Sequence, residues 1–168
     1  MHKNRLPDLD EIDLKILHFL MTDATTPYTE IAKKLDLSSG TIHIRMKKMT
    51  DLGIVRGSQL IVDYHALGWD ITAFLGIYLD KSSLYDEVIQ ELKNIPEIVS
   101  MNYTTGNYSI FAKVICRDTQ HLRDVLHDKI QKVTGIQRTE TFISLEEPLN
   151  RLLLLPVEKV EVNTNKLA

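Results

Sequence analysis

Two short stretches of this chain hold side chains whose types and spacing suit recognition chemistry. The first is SSGTIHIRMKKM, residues 38–49. Projected at ~100° per residue, Ile42, Met46 and Met49 fall on one narrow face, while Thr41, His43, Ile44, Lys47 and Lys48 cover the other. An isoleucine among lysines on an outward face is wasted in water but suits a DNA major groove. Lysines reach phosphates or guanine, and a branched apolar side chain can touch a thymine methyl. Ser38, Ser39 and, beyond the helix, Arg56 extend this candidate DNA-binding set. The plainer alternative is a three-helix module with solvated lysines. Arg45 lies at the border of the core face, where pairing with an acid of an earlier helix and contact with DNA are equally open.

The second stretch is the turn YTTGNYS, residues 103–109. Gly106 permits a positive φ or a close backbone approach, and neighbouring N–H groups can hold a carboxylate. Tyr103, Thr104, Thr105 and Asn107 add hydroxyl and amide groups. An ordinary hairpin with polar tips is the competing account. No catalytic constellation is visible. The six histidines are scattered and show no metal-ligand spacing with Cys116, which ends an apolar run and reads as a plain half-buried thiol. Glu146 and Glu147 are adjacent, so on a strand they face opposite ways. GxGxxG, GxxxxGK and HExxH patterns do not occur. The chain is not expected to be an enzyme, and no cofactor is implied.

The elements that must position these stretches follow from periodicity. Asp8 and Glu11 have capping-box spacing, and Ile12, Ile16 and Phe19 continue as the apolar stripe of a first helix ending near Asp23. Thr26 as N-cap with Pro27 at the first helical position opens a second helix, whose inward face is Ile31 and Leu35. Ser38 caps a third, and Gly53 closes it. Ile54–Arg56 and Gln59–Val62 flank Gly57-Ser58, a two-residue hairpin signal. Three helices with a tight second turn, then a hairpin, make a winged helix-turn-helix over residues 1–65.

Tyr64–Gly68 reads as a connector. DITAFLGIYLD, residues 70–80, alternates as a strand. Leu84, Val88 and Leu92 repeat at helical spacing; residues 98–104 and 108–116 read as strands; Leu122, Val125, Leu126 and Ile130 mark another helix; residues 136–145 form a last strand. The order βαββαβ over residues 70–150 is the ferredoxin-like split unit, so the fold class is α+β. Such a unit leaves one sheet face open, and self-association is its simplest cover. In the tail, residues 151–168, Leu152–Leu155 suit an edge strand or an interface patch, and the last polar residues read as disordered.

Composition excludes several classes. The chain has 168 residues, 43% hydrophobic and 26% charged, with a net charge of −3. It is therefore not a globally basic nucleic-acid binder, although Arg45, Lys47, Lys48 and Arg56 against Asp51 make residues 38–57 locally basic. One cysteine allows no intrachain disulfide and is compatible with a reducing cytoplasm. No apolar run approaches the ~20 residues of a membrane span, so no membrane partner is expected. The start, MHKNRLPDLDEID, lacks the apolar segment of a secretory signal.

The order of these elements, with LDEIDLKIL, SSGTIHIRMKKMTDLGIV, YTTGNYSIFAKVICRD and IQRTETFISLEEPL, resembles the Lrp/AsnC family of transcriptional regulators over residues ~8–150. GTIHIR, TTGNYSIF, DKIQ and TETFI are most similar to its asparagine-responsive branch. The resemblance implies a DNA-binding regulator acting on pseudo-palindromic promoter sites, cytoplasmic and nucleoid-associated, built as a homodimer that assembles to an octamer. It implies a small amino acid as effector, asparagine first and leucine or methionine next. By position, Tyr103, Thr105, Gly106 and Asn107 would lie at the effector pocket, with Tyr85 and Gln131 as side-chain partners. Two features depart from the family: Gly106-Asn107-Tyr108-Ser109 carries no acid where many members do, and the tail is long. Rival readings are an architectural DNA binder without an effector and an amino-acid-sensing module that partners a metabolic enzyme.

Overall fold

The computed structural model describes residues 8–153 and 155. Residues 1–7, 154 and 156–168 lie outside this description, and with them part of the N-terminal stretch read as lacking a secretory signal and the polar end read as disordered. The chain divides into two compact units, one formed by residues up to Leu60 together with those from Asn150 on, the other by Ile61–Leu149.

The first unit holds three helices, α1 (Glu11–Thr22), α2 (Tyr28–Leu35) and α3 (Ser39–Asp51). Ile16, Phe19, Ile31, Ile42 and Met49 are its buried core, with Met46 partly buried beside them. The capping box of α1 is Asp10–Asp13, not Asp8–Glu11. The Asp10 side chain accepts from the Asp13 N–H at 2.9 Å, and the Asp13 carboxylate accepts from the Asp10 N–H at 3.2 Å. The sequence DLDEID offers the same acid spacing twice, so spacing alone does not choose between the two.

The start of α2 is likewise one residue later than expected. Pro27, at ψ 140°, is its N-cap, and its carbonyl accepts from Glu30 at 2.9 Å and Ile31 at 3.2 Å. Proline fixes only φ, which helix and extended chain share; ψ decides the boundary. Between α2 and α3 the chain turns on Asp36, in the left-handed region at φ 53°, ψ 48°, a conformation that aspartate tolerates. Ser38 then caps α3, its Oγ accepting from the Thr41 N–H at 3.1 Å. Gly53, at φ 70°, ends it.

The expected wing is not paired. Residues 55–63 form no strand, and Leu60 and Ile61 are 87% and 95% exposed. Gly57-Ser58 supplies the tip of a hairpin, but two strands without a third or a helix to pack on are marginal in water. The connector contains a single 3-10 turn, His65–Leu67.

The second unit is βαββαβ as expected: β1 (Ile71–Leu79), α4 (Tyr85–Leu92), β2 (Ile98–Tyr103), β3 (Ile110–Cys116), α5 (Thr119–Asp124) and β4 (Ile136–Ile143). The sheet order is β2-β3-β1-β4, antiparallel throughout. Alternate residues of the central strands, Ala73, Leu75, Ile77, Ile110, Ala112 and Val114, are buried against Val88, Leu92, Val125 and Ile130 of the helical layer. The second helical run is not one α-helix. After Asp124 it widens into a π turn, Val125–Lys129, and tightens into a 3-10 turn, Ile130–Lys132. Cys116 is fully buried, not half-buried, and burial pushes its thiol up to about 11, so it is inert as a nucleophile at neutral pH. Glu146 and Glu147 lie beyond β4 and belong to no strand.

The tail does not form an edge strand in its described part. Leu155 packs against the helical core of the first unit, while Leu152 and Leu153 remain exposed.

Candidate functional site

The outward face of α3 is built by what its inward face fixes. With Ile42 and Met49 fully buried, Ile44 is left 73% exposed, and Ser38, Ser39, His43, Lys47, Lys48 and Arg56 are exposed around it. Thr41 is half-buried, its Oγ1 2.9 Å from the Ser38 Oγ. His43 rests edge-on against Tyr28 of α2, ring centroids 4.6 Å apart. Lys47 makes no ion pair among the described residues. Lys48 folds back to the start of α1, its Nζ donating to the Asp8 carbonyl at 2.6 Å.

Arg45 serves the fold. Its guanidinium donates to Asp10 at 2.7 Å and to Asp13 at 2.8 Å, and the Asp13 side chain is wholly buried. The Asp13 backbone N–H, and after it the Arg45 guanidinium, hold the Asp10 carboxyl below its ordinary value. One side chain thus fastens the outward helix to the first turn of α1 and sets its orientation.

The turn between β2 and β3 is closed by its own groups. The Thr104 N–H donates to the Ser109 carbonyl at 3.2 Å, the Thr104 hydroxyl donates to the Tyr108 carbonyl, and the Ser109 N–H donates to Ile77 of β1 at 2.9 Å. Thr105, Gly106 and Asn107 project from it, exposed. Tyr103 is 66% exposed and packs on half-buried Tyr85 of α4, ring centroids 4.5 Å apart. Gln131 is exposed in the 3-10 turn, and no hydrogen bond joins it to this turn among the described residues.

Gly106 does not do what its type suggests. Its φ is not positive, and a Cβ built on it would meet nothing within 4 Å. The backbone of this chain therefore does not require glycine there.

The open face of the sheet carries Phe74, Tyr78, Tyr108, Phe111 and Phe142. Phe74 and Phe111 stack nearly parallel at 5.9 Å, and Tyr108 meets Tyr78 at 5.2 Å and Phe142 at 6.2 Å. Glu140 sits among them, accepting from the Tyr108 hydroxyl at 2.8 Å, the Tyr78 hydroxyl at 3.1 Å and Arg138 at 2.8 Å. The Tyr108 phenol, and after it Tyr78, hold the Glu140 carboxyl below its ordinary value. The Tyr108 ring lies over Gly76 in the middle of β1, where a Cβ would be 2.3 Å from it. A glycine inside an alternating strand marks such an approach, so Gly76 was the signal for this cluster.

The AsnC-type helix-turn-helix domain matches residues 9–50, and the Lrp/AsnC ligand binding domain matches residues 72–154. Regulatory protein AsnC of Haemophilus influenzae is 46% identical over 144 residues, covering 86% of this chain and 96% of that protein. The chain belongs to the Lrp/AsnC family. Regulatory protein AsnC of Escherichia coli K12 is 42% identical over 145 residues, 86% of this chain and 95% of its own length. The solved structure of E. coli AsnC matches with a TM-score of 0.83 at 41% identity, covering 88% of this chain and 99% of that one. A transcriptional regulator of Neisseria meningitidis in complex with L-Met superposes with a TM-score of 0.81 at 21% identity, covering 89% and 97%; that likeness is one of fold.

The protein is therefore a transcriptional regulator with a DNA-binding helix-turn-helix and a small-molecule domain. Among the described residues no helix is long and apolar enough to cross a membrane. In this Lrp/AsnC chain the helix-turn-helix match stops at the end of α3, which is also where regular structure stops until β1, the 3-10 turn apart.

Proposed function

We propose that this Lrp/AsnC regulator reads DNA with α3 and responds to a small amino acid, asparagine first, bound at the β2–β3 turn. The observation that carries the effector half is Gly106. Among the described residues nothing demands glycine there, and the open space above it leaves room for a docked ligand. Thr105 and Asn107 flank Gly106 in the turn and the Tyr103–Tyr85 pair stands at the strand end before it, so hydroxyl, amide and aromatic groups that suit a zwitterion are available there. Gln131 would reach the ligand from the 3-10 turn. The aromatic sheet face gives the cover of a homodimer, and dimers would assemble further to an octamer in the cytoplasm, associated with the nucleoid.

On DNA, Ile44 would lie against a thymine methyl, with Lys47 on a phosphate. Ser38, Ser39, Thr41, His43 and Arg56 border the contact, and Lys48, held at Asp8, sits at its margin. A dimer would read half-sites about 34 Å apart or a multiple of that. Lys47→Ala is expected to weaken all sequences alike and to flatten the salt dependence by about one phosphate. Ile44→Ala is expected to lose about 1 kcal/mol or more of preference at one base pair. Binding of a randomised operator library separates the two; an unchanged preference in Ile44→Ala sinks the groove assignment.

The effector test is a thermal-shift screen against the twenty amino acids. A ligand at 100 times its Kd adds roughly 2.7 kcal/mol to the native state. Gly106→Val is expected to leave the unliganded protein within ~0.5 kcal/mol of wild type and to abolish the shift. A shift that survives in Gly106→Val places the ligand elsewhere. No shift with any amino acid leaves a DNA binder without this effector.

A further inference from the structure

Gly40 weakens the helix that carries it. It is the second residue of α3, and glycine is a poor helix former because it loses more backbone freedom on folding than alanine does. The fold does not require it there. Its φ is not positive, and a Cβ built on it would meet only the Ser38 Oγ at 3.6 Å, an ordinary contact. The cap of α3 is supplied by the Ser38 side chain and needs no glycine.

The position is the outermost of the helix. At ~100° per residue, Gly40 stands ~160° from Ile42 and ~180° from Met49, the two buried residues of α3. Ile44, four residues on, shares that outer line and is 73% exposed. A missing side chain and an exposed apolar one thus follow each other along the crest of α3, about 6 Å apart along its axis.

The larger side chains beside the crest are drawn to its flanks. Arg45 is tied to Asp10 and Asp13, and Lys48 donates to the Asp8 carbonyl. The Thr41 Oγ1 lies 2.9 Å from the Ser38 Oγ, and His43 rests on the Tyr28 ring of α2. The first two turns of α3 therefore present a low crest, bare at Gly40 and apolar at Ile44. The major groove is about 12 Å wide, and a helix with its side chains is about 10–12 Å across. How deep such a helix enters depends on what stands on its crest.

We propose that Gly40 is a specificity-determining position. Its bare backbone lets the first turn of α3 come against a base-pair edge, and so brings Ile44 to its own base pair one turn on. The proposal rests on α3 being the helix that enters the groove.

The test uses full-length protein and two duplexes of equal length at one salt concentration. One is selected by the wild-type protein from a randomised library; the other has the same composition in scrambled order. Gly40→Ala and Gly40→Leu both put a good helix former in place of glycine, so amide exchange in α3 should slow about twofold or more. Affinity for the selected duplex should nevertheless fall, about threefold in Gly40→Ala and about tenfold or more in Gly40→Leu. The scrambled duplex is held through its phosphates and should be bound within about twofold of wild type. A firmer helix that reads DNA less well is a result that a purely structural role for Gly40 does not give. Lys47→Ala, expected to weaken both duplexes alike, separates this proposal from the groove reading. If Lys47→Ala does so while the selected duplex binds Gly40→Leu within about twofold of wild type, α3 lies on the DNA but Gly40 does not set its approach, and the proposal is overturned. A loss shared equally by both duplexes in Gly40→Leu also overturns it, because the side chain then obstructs phosphates and not a base edge. If neither Lys47→Ala nor the Gly40 variants change any binding, the groove reading falls as well. Should leucine loosen α3, so that exchange quickens, Gly40→Ala decides: a lower ratio of selected to scrambled affinity supports the proposal, and an unchanged ratio overturns it.

Discussion

Arg45→Ala is expected to cost the helix-turn-helix about 3 kcal/mol. The substitution removes no core methyl groups. It removes the partner of Asp13, whose side chain is wholly buried, and that carboxylate stays behind. Breaking a buried pair from one side typically costs ~3–5 kcal/mol, because the remaining charge is uncompensated. The low end applies here, since the Arg45 side chain is 23% exposed and Lys48 remains 3.5 Å from Asp13. A loss of that size is a large share of the ~5–15 kcal/mol that holds a domain together. Hydrogen exchange of the amides in α1 and α3 measures it directly. Protection within ~1 kcal/mol of wild type would mean that the pair does not hold these helices together.

The same cluster has a sign in pH. The folded pKa of Asp10 is depressed, so its contribution is present above the unfolded carboxylate value and is lost as the pH falls through the folded one. Acid should therefore loosen α1 from α3 before it disturbs Ile16, Ile31 and Ile42.

Arg45 also shows what sequence could and could not settle. Helical projection placed Ile42 and Met49 inward and Ile44 outward, because a single 3.6-residue period fixes all three. It left Arg45 open, because pairing depends on how α3 crosses α1, which no local period contains. The capping box was misplaced by two residues for a related reason. Asp8, Asp10, Glu11 and Asp13 offer two boxes at equal spacing, and the contact with Arg45 that marks Asp13 comes from elsewhere in the chain. The strands of the second unit were legible because alternation survives burial on one face. The wing was not: Gly57-Ser58 is a local signal, but pairing needs a surface to pack on, and Leu60 and Ile61 are left exposed.

Gly76→Ala is expected to have the other large effect. The position is central in β1, paired with Phe111 on one side and Glu140 on the other. Its added methyl would lie 2.3 Å from Tyr108 Cδ1 and 2.4 Å from Cε1, far inside contact distance. A strand held on both edges cannot retreat, so the Tyr108 ring must swing away. Overpacking of this kind costs typically 1–3 kcal/mol. The displaced ring also gives up its 2.8 Å hydrogen bond to Glu140 and its packing against Phe142. Glu140 keeps Tyr78 and Arg138, so the sheet should survive while its open face changes shape. If that face is where two copies meet, Gly76→Ala should weaken the dimer far more than it destabilises the protomer, and sedimentation equilibrium reads the two apart. Tyr108→Phe provides the scale, removing one hydrogen bond worth about 1 kcal/mol while leaving the ring in place. Tyr108→Ala in the Gly76→Ala background relieves the clash, so the double variant should cost less than the sum of the single ones. Strict additivity would show that the ring does not sit over Gly76. A fully dimeric Gly76→Ala protein would show that the aromatic face is not the contact between copies.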